Sequence, residues 1–363
     1  MKIWQTELTH LTGNYYIENC FSPSSMFFDI ETTGFSAAHS QVYMIGYATK
    51  INGNIGITQL FAETPSEELE ILAAFLEALS QYSTLVSFNG TGFDVPFLKG
   101  RYAHYKMAET LDSFQHIDIY KQISGFRHIL KLQNLKQKTL ESFLGISRDD
   151  KYSGGDLIPI YSEYAKQPSQ EACTLLKLHN FEDMAGMAEL LSLLSYPSLL
   201  EGNFQISSLK TQKWDTYEGQ EGWELILSLE TDAPLPKHFS CKKGELYATG
   251  FGHQVNLRVQ PYIGELKYFY PNYKDYYYLP AEDRAIHKSV ASYVDKNFRT
   301  QAAASTCYCK KSGCFLPQYQ TLFTPSLKQE YQDQISYFEL TEDFKASGEK
   351  LKIYAMHLLN YFL

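Results

Sequence analysis

No run of eighteen apolar residues occurs anywhere in the sequence, so no segment reads as a membrane-spanning helix. The opening stretch, Met1 to Asn14, mixes charge and polarity too evenly for a secretory leader, and a cytoplasmic location without membrane association is the expectation. Cysteine is scarce: six residues, at 20, 173, 241, 307, 309 and 314, are too few and too uneven for a disulfide framework in a chain of 363 residues. They read as reduced thiols. Three motifs are also missing: a phosphate-cradling G-x4-G-K-S/T loop, a G-x-S-x-G nucleophile elbow and an H-E-x2-H zinc helix. Their absence removes the commonest rival enzyme classes.

Basic charge is in short supply as well, with 32 Lys and Arg against 41 Asp and Glu and a net charge of -9. Such a balance is unusual for a protein that meets nucleic acid, so the distribution matters more than the sum. Two windows run against the acidic background. Residues 121–138 hold Lys121, Arg127, Lys131, Lys136 and Lys138 with no carboxylate, and 284–311 holds Arg284, Lys288, Lys296, Arg299, Lys310 and Lys311 against Asp295 alone. Each reads either as a phosphate-facing surface or as a solvated helix face.

What is present is ordinary globular composition, with 44% hydrophobic and 20% charged residues, in a chain long enough for two cores. The division is expected near 197/198. In the first part, "SSMFFDIETTG", "VYMIGYAT" and "GITQLF" read as three antiparallel strands. A helix through "PSEELEILAAFLEALSQY" follows, with Leu69, Leu72, Phe75, Leu76 and Leu79 as its apolar stripe and Ser66 as its cap. "TLVSFNG" and "QHIDIY" read as further strands around a helix from Asp94 to Lys106. Helical segments are expected near 138–144 and 158–166, then one long helix over "SQEACTLLKLHNFEDMAGMAELLSLLS". Antiparallel strands followed by strands separated by helices imply an α/β mixed sheet flanked by helices. Beyond 198, "GWELILSLET", "ELYATGFG", "QVNLRVQPYI" and "ELKYFY" with a helix near 281–297 imply a separate α+β domain, its role open between nucleic-acid and partner binding.

The chemistry lies in three acidic elements. Asp29 and Glu31 stand two apart on a strand and so leave the same face of the sheet, where two carboxylates require cations. In "FNGTGFDVPFL", a buried strand ends at Asn89 and a glycine-containing turn brings Asp94 to a helix start, where a carboxylate is favoured. In "LHNFEDMAGM", His179 and Asp183 are four apart and share one helix face. Each element alone has a plain structural explanation: an exposed strand end, a helix cap and a surface pair.

Taken together, Asp29-Ile30-Glu31, Asn89 to Phe93-Asp94, and His179 with Asp183 resemble the three motifs of the DEDD superfamily of 3'-5' exonucleases: D-x-E, N-x3-F/Y-D, and an aspartate preceded by tyrosine or histidine. "FFDIETTG", "HIDIYKQ", "LESFLGISRDDKYSGGDLIPIYSEY" and "LHNFEDMAGM" are similar to the bacterial YprB-like RNase H-like proteins, over roughly residues 25 to 195. The resemblance implies an RNase H-like fold and metal-dependent hydrolysis of DNA or RNA, at single-stranded ends. It also implies two Mg or Mn ions, bridged by Asp29 and completed by Glu31, Asp94, Asp183 and a substrate phosphate. His179 departs from the pattern. Histidine-type members place histidine five residues before the last aspartate, whereas His179 stands four before, where tyrosine-type members place tyrosine. Its implied roles are general base, orienting a water or capping the metal site. Asp118 resembles a recurrent acidic position of that group and is expected, with Asn89, to support the site; the basic stretch that follows Asp118 would put Lys121, Arg127, Lys131, Lys136 and Lys138 beside it as nucleic-acid contacts, with Thr32 a further candidate. The alternative is an RNase H-like module that binds nucleic acid without cutting it.

In the second part, Cys307, Cys309 and Cys314 form C-x-C-x4-C, to which Cys241 or His287 would add a fourth zinc ligand. The spacing lacks paired C-x2-C units, so reduced, partly buried thiols are the stronger expectation. Tyr268, Tyr270, Tyr273 and Tyr276 to Tyr278, with Trp214, offer base-stacking surfaces or strand packing.

Overall fold

The computed structural model describes all residues other than 12, 13, 20, 216–220 and 363, and all side chains other than those of 10, 214, 215 and 221 as well. Cys20 and the indole of Trp214 therefore lie outside the described residues. The chain forms two compact units: 1–198 with 233–237, and 199–232 with 238–363.

The first unit is built on a six-stranded mixed sheet. Its strands are β1 (Lys2–Leu8), β2 (Ser25–Thr32), β3 (Val42–Ile51), β4 (Asn54–Phe61), β5 (Thr84–Ser87) and β6 (Gln115–Asp118), in the order β1-β4-β3-β2-β5-β6. β1 to β4 pair antiparallel with their neighbours, and β2, β5 and β6 run parallel. This is the expected mixed sheet with one strand added. β1 escapes a sequence reading because it is an edge strand whose alternate residues stay half-exposed; pairing with β4 and the stacking of Trp4 on Phe61 hold it.

The helices are α1 (Tyr15–Asn19), α2 (Glu68–Leu79), α3 (Asp94–His104), α4 (Ile119–Ile123), α5 (Gln137–Leu144), α6 (Gly154–Tyr164), α7 (Gln170–Leu190) and α8 (Ser195–Leu200). The period of two along β2 divides its side chains between the layers. Met26, Phe28 and Ile30 join Leu72 and Phe75 of α2 and Phe97 and Leu98 of α3 in one core, leaving Asp29 and Glu31 on the α7 side. There, Tyr43, Met44 and Phe61 pack with Leu157 and Tyr161 of α6 and Leu176 of α7.

The α2 stripe is rotated from its expected position. Leu69 is 43% exposed, and Glu68 takes the buried place. No side chain caps α2, which starts from a 3-10 turn over Pro65–Glu67 rather than from a Ser66 cap. Glu68 is tolerated inside because Arg101 donates to both of its oxygens, at 2.7 and 2.6 Å, Tyr105 at 2.9 Å and the Val42 amide at 2.8 Å. A buried carboxylate without such partners would cost several kcal/mol.

Among its described residues, the second unit has three three-stranded sheets. One contains β7 (Phe204–Asp215), β8 (Glu221–Lys243) and β9 (Leu246–Val259). Another is made of β10 (Tyr262–Phe269), β14 (Tyr308–Gln318) and β15 (Ser336–Glu339), and the last of β11 (Tyr276–Leu279), β12 (Arg284–His287) and β13 (Thr300–Gln301). Two expected strands merge into β9, and Pro261 separates it from β10. The helix expected at 281–297 is mostly absent. Arg284–His287 pairs with β11 instead, burying Ala285, and only α9 (Lys288–Ala291) and a 3-10 turn follow. Here partner strands override local helical composition. The short α10 (Glu342–Ala346) and then α11 (Gly348–Tyr361) close the unit, with Leu351, Tyr354, Ala355 and Leu358 of α11 buried.

Candidate metal centre

β2 delivers Asp29 and Glu31 to one face at its carboxyl end, opposite Gly46 and Met44 of β3. Gly46 is required by the helix above it. A Cβ there would come within 2.3 Å of Asn180 Oδ1 and 2.9 Å of Met184 Cγ. The close approach lets Asn180 Nδ2 donate to Asp29 Oδ2 at 3.2 Å while its Oδ1 accepts from Gln59 at 3.0 Å.

Asp94 begins α3 after a turn through Asn89, whose φ of 62° lies in the left-handed region. Asp118, at the end of β6, holds that turn: it accepts from the Asn89 amide at 2.9 Å, the Thr91 amide at 3.1 Å and the Thr91 hydroxyl at 2.5 Å. Asp94 Oδ1 in turn accepts from the amide of Ile30, at 3.1 Å, between the two β2 acids. A glycine turn, a supporting carboxylate and one backbone bond thus bring the second motif to the first.

α7 supplies the rest. His179 Nε2 lies 3.2 Å from Asp183 Oδ2 and 3.6 Å from Glu31 Oε1. Asp183 Oδ1 lies 2.6 Å from Arg148 Nη1, and Arg148 is clamped by the buried Glu141 of α5. Gly186 makes room for the clamp, since a Cβ would meet Glu141 Oε1 at 2.0 Å. Asp150 accepts from His179 Nδ1 at 2.7 Å.

Burial, followed by repulsion from the neighbouring acids, pushes Asp29 and Glu31 well above the usual carboxylate range. Asp94 is pushed up to about 7, mainly by burial, against hydrogen bonds from the backbone that lower it. Burial also pushes Asp150 upward, but Lys138, the Tyr152 amide and His179 outweigh it and hold the group below its ordinary value. Glu31 Oε1 is buried and has no hydrogen-bond partner. Ligand atoms of Glu31, His179 and Asp183 lie within 4.8 Å of one another. An orphaned carboxylate oxygen among crowded acids is what a divalent cation would satisfy, and an oxygen-rich donor set suits Mg or Mn. The residues fit the metal.

The site opens into a groove of about 770 Å³. Asp29, Asp94 and Asp183 line it together with Lys136, Lys138 and Lys151, and Phe88, Phe93, Tyr120 and Tyr152 add aromatic surface. Of the first basic window, Lys136 and Lys138 reach the groove, whereas Lys121, Arg127 and Lys131 are not among its lining residues. Arg127 instead ties its own loop, donating to the carbonyls of Leu132 and Gln133. The Thr32 hydroxyl donates to Gly34 O at 2.8 Å.

Four of the six bases of the second window are paired with acids. Arg284 pairs with Glu282, Lys288 with Asp275, Lys310 with Glu265 and Asp283, and Lys311 with Glu339. Cys309 and Cys314 are five apart on the regular strand β14 and face opposite ways, and Cys307 is buried with Ala285 and Ala302. They do not converge on one ion. Tyr270 stacks on Tyr276 at 4.5 Å, and both pack with Tyr278 against the same small core, so these rings serve packing.

Sequence reading missed Glu141, Arg148, Asp150, Lys151 and Asn180. Arg148 to Lys151 lie in a stretch quoted for the resemblance, but the charge of "SRDDK" reads as solvated loop and singles none of them out; Asn180 is next to His179, on the sheet-facing side of a helix whose burial is broad.

A buried acid cluster at the end of a five-plus-one mixed sheet defines an RNase H-like α/β domain. Residues 26–195 match the model of the RNase_H superfamily. No curated protein matches the chain. Among solved structures, a family B DNA polymerase from the archaeon Pyrobaculum calidifontis is similar at 16% identity and a TM-score of 0.40, over 48% of this chain and 26% of that one. Escherichia coli exonuclease I, solved with a dT13 oligonucleotide, is similar at 12% identity and a TM-score of 0.32, over 58% of this chain and 55% of that one. The chain thus matches about half of exonuclease I and a quarter of the polymerase. Among the described residues, no helix is long and apolar enough to cross a membrane.

Proposed function

We propose that this chain is a metal-dependent nuclease of the DEDD type that removes nucleotides from 3' ends of single-stranded DNA or RNA. The observation that carries the reading is the convergence of Asp29, Glu31, Asp94 and Asp183, from three separate segments, on one buried cluster where Glu31 Oε1 lacks any hydrogen-bond partner. Such a cluster is unfavourable without cations and has no packing purpose. Two Mg or Mn ions, held by Asp29, Glu31, Asp94 and Asp183, would supply a water of lowered pKa and stabilise the departing 3'-oxygen.

The chain's own residues do the remaining work. His179, with Nε2 facing the cluster, accepts the proton of the attacking water. Lys136 and Lys151 meet backbone phosphates, and Phe88, Phe93, Tyr120 and Tyr152 offer surfaces for unstacked bases. Asp118 and Asn89 act at one remove by holding the turn that carries Asp94. The catalytic domain is taken as 1–197, with 198–363 as a separate domain for nucleic-acid or partner capture.

A panel of 5'-labelled single- and double-stranded DNA and RNA, incubated with Mg, Mn or EDTA, tests the assignment. Metal-dependent ladders shortening from the 3' end, fastest on single strands, are expected. Binding without cleavage in both metals would instead identify a silent nucleic-acid-binding module.

A further inference from the structure

We propose that Asp150 is a positioning residue that fixes the tautomer of His179, leaving the bare Nε2 aimed at Glu31 and Asp183. The proposal rests on reading His179 as the proton acceptor of a hydrolytic site. Asp150 belongs to none of the three acidic motifs; it lies in the loop between α5 and α6, with only 2% of its side chain exposed.

Both carboxylate oxygens of Asp150 are engaged. Oδ2 accepts from His179 Nδ1 at 2.7 Å and from Lys138 Nζ at 2.8 Å, and Oδ1 accepts from the Tyr152 amide at 2.9 Å. The loop is fastened to the helix that carries His179, because Glu182 of α7 accepts from the amides of both Asp149 and Asp150 at 2.9 Å. Carboxylate and imidazole are therefore held to one another by the same helix and by two further anchors.

An ionised carboxylate only accepts hydrogen bonds, so Nδ1 must carry the hydrogen. In the neutral ring Nε2 is then bare. It is the nitrogen 3.2 Å from Asp183 Oδ2 and 3.6 Å from Glu31 Oε1, where a water activated at the cluster would give up its proton. An unconstrained neutral imidazole favours the opposite tautomer, with hydrogen on Nε2, which would turn a donor toward the acids and leave no acceptor for the water.

The experiment is nitrogen-15 NMR of histidine-labelled protein with Mg, at a pH where the ring is neutral, combined with steady-state kinetics. The wild type is expected to show the Nδ1-protonated form for His179. Asp150→Ala is expected to show the Nε2-protonated form, with kcat at least tenfold lower and KM within about threefold of the wild type. Asp150→Glu, which keeps an acceptor, should recover part of kcat. An Nε2-protonated ring in the wild type overturns the proposal, as does an Asp150→Ala variant that keeps the wild-type tautomer or kcat. If Asp150→Ala fails to fold, the wild-type spectrum decides alone. If the wild type cleaves no substrate, the nuclease reading falls, while the tautomer measurement still decides whether Asp150 positions the ring.

Discussion

Arg148 places Nη1 2.6 Å from Asp183 Oδ1 while the buried Glu141 grips the rest of its guanidinium. One cation built into the chain thus offsets part of the charge of the acid cluster. Replacing Arg148 by methionine strands Glu141, whose side chain is 1% exposed. A loss of about 3–5 kcal/mol is expected, the usual effect of breaking a buried pair from one side. Urea denaturation measures it, and Arg148→Met combined with Glu141→Leu should recover much of the loss.

The raised carboxyl groups set a pH dependence whose sign is fixed. Asp94 has a folded-state pKa of about 7, against about 4 when unfolded. Between those values the native state holds more protons, so in EDTA its stability falls as pH rises through that window. Asp29 and Glu31 act in the same direction. The difference in melting temperature between wild type and Asp94→Asn should therefore shift against the wild type from pH 5 to pH 8. Equal differences at both pH values would contradict the shift.

Divalent metal should reverse that trend, because ligation needs ionised carboxylates. Added Mg or Mn is expected to raise the melting temperature, more at pH 8 than at pH 5, and the gain should follow metal concentration. Thermal scans with EDTA, Mg and Mn suffice. An unchanged melting temperature throughout would argue against a preformed site.

Asp29→Asn separates stability from activity. It removes a buried charge and keeps the shape, so the metal-free protein should melt at the same or a higher temperature. Hydrolysis should fall about a thousandfold, the equivalent of several kcal/mol of lost metal stabilisation. Asp183→Ala is expected to be equally inactive. Full activity in either variant would remove the assignment.

The groove predicts which lysines matter. Lys136→Ala and Lys151→Ala should each weaken binding of a single-stranded oligonucleotide and lower the salt dependence by about one unit of slope. Arg127→Ala should leave both unchanged, because its guanidinium is spent on the carbonyls of Leu132 and Gln133.

Features that depend on short-range periodicity were legible in residue order. Alternation along a strand put Asp29 and Glu31 on one face, and the helical repeat put His179 above Asp183. The succession of apolar segments likewise carried the mixed α/β sheet. What those residues meet follows from long-range packing. Asp150 is 29 positions from His179 and Arg148 is 35 from Asp183, in a loop with no periodicity, so only the fastening of that loop to α7 brings them together. Long-range packing also decided which charges have partners: Glu68 is buried on Arg101, and Arg284, Lys288, Lys310 and Lys311, open between a phosphate-facing and a solvated surface in the sequence, are paired with acids. Composition records how many charges a segment carries, but their partners are set by distances that exist only once the chain has folded.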